Sequence, residues 1–418
     1  MLQQKMSITK TYIKKVLRKE GEIIEMKTRN LCKDGENFVS TPLEVKFSFV
    51  EFDSNTVESF NLAVKIPNEN SLMYSAIAMV DGFQKETLMY KKLMPDALKW
   101  QMKNLGEIKH YFPSPNSYYC GEDGIIIMEN LEESNYYVKP MKTERNLEES
   151  KILVKSIAKF HAIMMAFSQS FESISDFVEQ YSFIKNASTE FQTLFDPPNS
   201  IQEKIELIKP IIDDLSKLFP DKIPLFDKYW EYILSSNNMT NTLMHLVPCE
   251  GYSVVCHGDL WNNNILFYTD ESGQVADCKL IDFQLMKFST PVLDISHFLW
   301  MSGSKDVILY HRKELLLLYY EVLQNVMKDL NSDLRLSFEQ LWNDFERLNE
   351  LGLATGIMNG LILFAPNNNA VDAVVCKEDV NLVTDSLKQI GRVMKHPNDE
   401  ILSRLNSLIQ LGHELNFY

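Results

Sequence analysis

Residues 256–284 read CHGDLWNNNILFYTDESGQVADCKLIDFQ. Asp259 stands five residues before Asn264, which opens the apolar run ILFY, and Asp282 sits inside a second apolar run, CKLIDF. Charged and amide side chains are costly in such runs unless something pairs with them. The turn-rich TDESGQVAD between the runs reads as the loop of an antiparallel hairpin. Centred on Gly273, that hairpin sets Asn264 opposite Asp282. Opposed residues share a face with Cβ atoms roughly 5 Å apart. An amide oxygen beside a carboxylate suits Mg2+. Asp259, in the approach to the first strand, then falls where a base that takes a hydroxyl proton belongs. The order H-x-D-x4-N followed by I-D-F is the pattern of a phosphoryl-transfer catalytic loop with its metal site. An asparagine run alone is a polar turn, HGD alone means nothing, and Trp261 with a missing glycine breaks any EF-hand pattern. The hairpin geometry linking the three residues carries the reading. His257 is expected to buttress the loop through backbone hydrogen bonds.

Phosphoryl transfer from a nucleotide also requires a lysine at the phosphates and an acid to hold that lysine. Lys65 lies in the β-type run LAVKI, and Glu86 lies between Phe83 and Tyr90 in a helical pattern. Singly, they would be a strand-edge lysine and a solvated helix position. Strand then helix, upstream of the catalytic segment, favours the pair. The strand IIIM runs into ENL, where backbone at Glu129 and Leu131 can meet an adenine ring.

The elements that must position these groups are set by period. PLEVKFSFV (42–50) and VESFNLAVKI (57–66) form a hairpin around EFDSNT. SLMYSAIAMVDGFQKETLMYKKLM repeats apolar residues at helical spacing from Ser71, with Pro95 expected to close it. After MENLEES the chain turns helical: 146–167 is amphipathic, Pro197-Pro198 and Pro220 interrupt the helices of the region 168–250, and 313–330, 338–364 and 381–394 continue the pattern. The segment 338–364 is hydrophobic on several sides and is expected to be central. The expected fold is bilobal and α+β. A nucleotide-binding lobe spans 1–128, with an antiparallel sheet and one long helix; a linker spans 129–135; a mainly helical catalytic and substrate lobe spans 136–418.

Composition excludes several partners. A net charge of −15 over 418 residues argues against nucleic acid and anionic membranes. The longest apolar run, near GLILFAP, is too short for a bilayer span. The 6 cysteines form no CxxC pair and read as reduced thiols, which points to a cytoplasmic protein and makes the sequons at Asn186 and Asn238 chance matches. The N-terminus lacks a signal-peptide core; Ile8, Tyr12, Ile13, Val16 and Leu17 recur at helical spacing.

CHGDLWNNNILF with IDFQ, the upstream FQKETLMYKKLMPDAL and the loop DGENFVS resemble the ecdysteroid kinase-like family, within the wider group of aminoglycoside phosphotransferase and choline kinase folds. The resemblance runs from about Lys33 to about residue 300. It implies a protein-kinase-like fold and phosphorylation of a small-molecule hydroxyl with ATP and Mg2+. It assigns Gly35, Asn37 and Ser40 to phosphate contact, although Gly35 is the single glycine of KDGENFVS. Protein kinases carry a lysine two places after the catalytic aspartate, where this chain has Trp261, and a glycine where it has Gln284. A peptide substrate is therefore not expected. The acceptor implied is an ecdysteroid or a foreign alcohol. Choline- or aminoglycoside-type kinases and an inert nucleotide-binding scaffold are the alternatives.

Overall fold

The structure is a computed structural model describing residues 12–13, 20–31, 40–52, 56–68, 74, 77–78, 81–140, 142–185, 209, 212–234, 252–363 and 399–417. Strands β1 (Gly21–Asn30), β2 (Ser40–Glu51), β3 (Val57–Pro67), β4 (Ser117–Cys120) and β5 (Ile126–Glu129) form one antiparallel sheet, in the order β1-β2-β3-β5-β4. The expected hairpin is β2–β3, with Leu43 opposite Val64 and Phe47 opposite Phe60. Sequence period gives no signal for β1. It is an edge strand, and its Glu22, Glu25, Lys27 and Arg29 blunt the apolar alternation, as edge strands commonly do.

Alternation along the strands decides where Lys65 points. Leu43, Val45, Phe47 and Phe49 of β2 and Leu62, Val64 and Ile66 of β3 are buried in one cluster with Ile125 and Ile127. With a period of two, Lys65 faces the other side of the sheet. There Ala63, and Ile126 and Met128 of β5, join the main core. That side also carries the helix of Glu86.

Helices α1 (Gly82–Leu88) and α2 (Met94–Leu105) are joined by a wide π-type turn, Met89–Leu93. The expectation that Pro95 ends the helix is corrected. Pro95 lies in the first turn of α2, where a missing N–H costs little, and the wider turn before it makes room for the ring. Tyr74, Ile77 and Ala78 are also helical.

Beyond β5 lie β6 (Tyr136–Val138), β7 (Val254–Cys256), β8 (Ile265–Thr269), β9 (Val275–Leu280) and β10 (Lys287–Ser289), as a β6-β8-β9 sheet and a β10-β7 pair. The remainder is helical: α3 (Leu147–Ser168), α4 (Ile174–Gln180), α5 (Ile223–Leu234), α6 (Val292–Ser302), α7 (Lys305–Tyr310), α8 (Arg312–Asp329), α9 (Phe338–Leu363) and α10 (Asp399–Glu414). Asn146 caps α3 by accepting from the Glu149 N–H at 3.0 Å. Every residue from Phe160 to Ser168 is buried, so the second half of α3 is enclosed on all sides rather than amphipathic. Helix α9 crosses α6 closely. A Cβ at Gly352 would lie 2.1 Å from Trp300 Cδ1, and Trp300 Nε1 donates to Asn349 Oδ1 at 2.7 Å.

A sheet-bearing N-terminal part and a mainly helical C-terminal part give the expected bilobal α+β class. No helix among the described residues is long and apolar enough to cross a membrane. Cys120, Cys256 and Cys278 are buried free thiols. Residues 381–394, the Pro197-Pro198 break, both sequons, the other three cysteines, and Gly35 and Asn37 lie outside the described residues.

Candidate active site

The hairpin that carries Asn264 corrects the expected register. Its turn closes from Asp270 N–H to Gln274 O at 2.9 Å and so centres on Ser272, one residue before Gly273. With a bulge between Tyr268 and Thr269, Ile265 pairs with Leu280 and Phe267 with Cys278. The Ile281 N–H then donates to Asn264 O at 3.0 Å. Asn264 thus faces Ile281, not Asp282. Asp282 lies one residue further on with φ of 68°, a left-handed conformation that aspartate tolerates and that takes its side chain out of strand alternation.

That turn delivers Asp282 to the lysine. Lys65 Nζ lies 2.9 Å from Asp282 Oδ1 and 2.6 Å from Glu86 Oε2, so one cation bridges two carboxylates from separate parts of the chain. Burial alone would lower the Lys65 pKa. The carboxylates of Asp282 and Glu86 outweigh it and hold the ammonium above its ordinary value. Burial pushes the Glu86 carboxyl up, Lys65 pulls it back, and Asp282 adds to the rise. Gln284 completes the group. With its amide turned to suit its neighbours, it donates to Asp282 Oδ1 and accepts from Lys65 Nζ, each at 3.3 Å.

Asp259 faces this cluster from the loop after β7. Its Oδ2 accepts from Asn264 Nδ2 at 3.0 Å and from Trp261 Nε1 at 3.2 Å, while Asn264 Nδ2 also donates to Asp259 O at 2.8 Å. Burial, with the charge of Asp282 added, pushes the Asp259 carboxyl up to about 6 against the pull of His257 and these donors. Such a value suits a general base near neutral pH.

The loop itself is rigidly held. His257 Nε2 donates to Ile281 O at 2.8 Å, and its Nδ1 accepts from Asp259 N–H at 3.3 Å, the buttressing expected of it. Gly258 has φ of 83°, and a Cβ there would meet Leu285 O at 1.9 Å, so the loop passes directly against the segment after Asp282. Asp294 of α6, fully buried, accepts from the N–H groups of His257 (2.7 Å) and Gly258 (2.8 Å). Burial would raise the Asp294 pKa, but His161, His257 and the Gly258 N–H keep it below the ordinary range. His161 in turn bridges Asp294 Oδ2 (3.1 Å) and Tyr319 OH (2.8 Å).

Sequence reasoning missed Asp294, His161, Gln284 and His297, the last with its Nε2 3.5 Å from Asp259 Oδ1. The signal that marks Asp282 would have found two of them. Asp294 lies in the apolar VLDISHFLW and His161 in AKFHAIMM, and each is a polar group where none is tolerated without a partner.

The remaining expected residues fall around the sheet. Ser40 opens β2 opposite Pro67 and is buried. Glu129 ends β5 opposite Leu62 and accepts from Asn116 N (3.2 Å) and Nδ2 (3.0 Å). Leu131, buried, opens a short turn capped by Asn130, whose side chain also reaches Asn61 and Glu44. Lys65, Glu86 and Asp282 form one ion-paired group and Asp259 and Asn264 a hydrogen-bonded pair, the charge of Asp282 being felt at Asp259; Ser40, Glu129 and Leu131 make no hydrogen bond or ion pair with any of the five.

For a metal, the donor set is two hard oxygens. Asn264 commits its Nδ2 to Asp259, which turns its Oδ1 away, and Asp282 engages Lys65 and Gln284 through Oδ1. No hydrogen bond from a described residue reaches Asn264 Oδ1 or Asp282 Oδ2. These atoms fit Mg2+.

The arrangement is that of a kinase-like fold, in which Lys65 and Glu86 come from the sheet-bearing N-terminal part and Asp259, Asn264 and Asp282 from the part beyond β5. The sequence model of the ecdysteroid kinase-like family matches residues 34–332, and the chain belongs to that family, a group of small-molecule kinases. No curated protein matches the chain. Among solved structures, a GDP and kanamycin complex of APH(2″)-IIia is similar at 12% identity and a TM-score of 0.39, over 93% of this chain and 99% of that one.

Proposed function

We propose that the protein transfers the γ-phosphoryl group of ATP to a hydroxyl of a small lipophilic molecule, an ecdysteroid or a foreign alcohol. The observation that carries this reading is the convergence of Lys65, Glu86 and Asp282 in one ion-paired group next to an Asp259 whose Oδ2 is fully engaged and whose Oδ1 is left to act. In this reading Lys65 holds the phosphates and Glu86 orients Lys65. The backbone at Glu129 and Leu131 meets the adenine, and Gly35, Asn37 and Ser40 belong to the phosphate loop. Asn264 and Asp282 would hold Mg2+, which when bound neutralises phosphate charge. The acceptor hydroxyl gives its proton to Asp259 Oδ1, and its oxygen bonds to the γ-phosphorus as the bond from that phosphorus to the β–γ bridging oxygen breaks. ADP leaves, and Asp259 passes the proton to solvent. Residues 129–135 serve as the linker between lobes 1–128 and 136–418, and the protein works in the cytoplasm, with ATP and reduced thiols.

The test is phosphorylation of ecdysone, p-nitrobenzyl alcohol, choline and kanamycin with radiolabelled ATP and Mg2+. Transfer to one of the first two is expected. Transfer to choline or kanamycin alone would replace the acceptor class, and no Mg2+-dependent turnover with any of the four would favour an inert scaffold.

Lys65 and Glu86 should act as one unit. Lys65→Met is expected to lower kcat/KM for ATP by about 100-fold and Glu86→Gln by about 10-fold, with the double variant within about threefold of Lys65→Met. Steady-state kinetics on the four proteins decides it, and losses that multiply would separate the two residues.

A further inference from the structure

We propose that His297 is the second contact of the acceptor hydroxyl, its Nε2 and Asp259 Oδ1 together forming the seat that holds the reacting oxygen. This rests on the phosphotransferase reading and adds a residue that neither the motif nor the ion-paired cluster contains.

The geometry comes from α6. Asp294, in its first turn, pins the loop backbone at His257 and Gly258. His297 comes three residues later, hence on the same side of the helix, and reaches the carboxylate that the pinned loop presents. Asp259 Oδ2 is occupied by Trp261 and Asn264, and Oδ1 is the oxygen that His297 Nε2 faces, at 3.5 Å. That separation is too long for a charge-assisted hydrogen bond, which runs about 2.7–2.9 Å. It is short enough for one oxygen to sit about 2.8 Å from both atoms. His297 Nε2 is buried and has no hydrogen-bond partner among the described residues. Buried polar atoms are almost always paired, so this nitrogen calls for a partner that a ligand supplies.

The imidazole works as a neutral group. Burial pushes His297 down to about 4, with Lys287 and His257 adding to the drop and Asp294 opposing it. The charged and titratable groups around it are Asp259 and His257 on the loop, Asp294 on its own helix and Lys287 on β10. With its proton on Nε2, His297 donates to one lone pair of the acceptor oxygen. That oxygen turns its O–H toward Asp259 Oδ1 and keeps its second lone pair for phosphorus. The acceptor class this fits is an alcohol.

The experiment compares wild type, His297→Leu and His297→Gln as full chains, with ecdysone or p-nitrobenzyl alcohol, whichever turns over faster. It reads acceptor KM, kcat, ADP affinity and melting temperature. His297→Leu should lower kcat/KM for the acceptor by about 10- to 100-fold, mostly through KM, the cost of one unmade hydrogen bond in a buried site. His297→Gln, whose amide can replace the N–H, should recover to within about fivefold of wild type, and ADP affinity should hold in both. In Asp259→Asn, where the Asp259 titration is removed, acceptor affinity should stay flat from about pH 6 to 8, as a neutral histidine requires. The inference is overturned if folded His297→Leu stays within about threefold of wild type. It is also overturned if both variants lose ADP affinity and melting temperature together, which is a structural role. Should His297→Leu fail to fold, a folded His297→Gln that loses acceptor binding overturns it, and one that keeps it supports it. An inactive wild type would sink the phosphotransferase reading itself, a result distinct from an active wild type indifferent to His297.

Discussion

Asp259→Asn should lose roughly 10²- to 10⁴-fold in kcat, the usual range for an absent general base, while nucleotide affinity barely changes. Asparagine keeps an oxygen for Trp261 Nε1 or Asn264 Nδ2 but cannot take the hydroxyl proton. Its effect on stability separates this role from that of an ordinary loop aspartate. Burial and Asp282 push the Asp259 carboxyl up to about 6, above the unfolded value of about 3.9. Between those values the folded protein binds the proton and the unfolded chain does not. This group therefore contributes stability at low pH and loses it as pH rises through 6. At pH 7 the wild type carries an ionised carboxylate that the fold disfavours, and the variant does not. The variant should melt at or above wild type at pH 7, with the difference shrinking as pH is lowered from 6 toward 4. A variant that melts earlier and retains turnover per folded molecule would mark Asp259 as a turn-capping residue and defeat the catalytic assignment.

How far the sequence reveals the site depends on how each feature is encoded. Lys65 and Glu86 were legible because strand and helix periods are local and strong, and the two residues meet at 2.6 Å. Asp282 was legible as a polar group in an apolar run, but its partner was not. Register depends on where the turn centres, and here Asp270 and a bulge move it by a residue that composition does not show. The positive φ of Asp282 is likewise invisible in a sequence that has no glycine there. Edge strand β1 and the three-residue strands β6, β7 and β10 are too charged or too short to give a period. Asp294 and His297 stand in the apolar run VLDISHFLW and carry the same signal as Asp282, but their partners are hidden more deeply. They act across the helical part of the chain, on a loop some 36 to 38 residues earlier, and nothing in helical spacing says which distant loop a helix face will meet.

For Asp282 the informative variant is Asn rather than Ala. Alanine at φ of 68° would pay the left-handed backbone penalty, roughly 1–2 kcal/mol, and blur a functional loss with an unstable protein. Asparagine tolerates that conformation, keeps an acceptor for Lys65 and Gln284, and removes only the charge. Asp282→Asn is expected to lower ATP turnover at ordinary Mg2+ by more than about 100-fold, beyond the 10- to 100-fold typical of residues that merely orient a metal ligand. Asp282→Ala should match it in activity and melt at a lower temperature. Turnover of Asp282→Asn close to wild type at ordinary Mg2+ would remove Asp282 from the metal site. The residual activity carries a second signature. The Asp282 charge is part of what raises Asp259, so neutralising it should let Asp259 ionise more readily and shift the acid limb of the pH–rate profile to lower pH. An acid limb that stays in place while activity falls would leave Asp282 in the site but break the electrostatic link to Asp259, and the group responsible for that limb would have to be sought elsewhere.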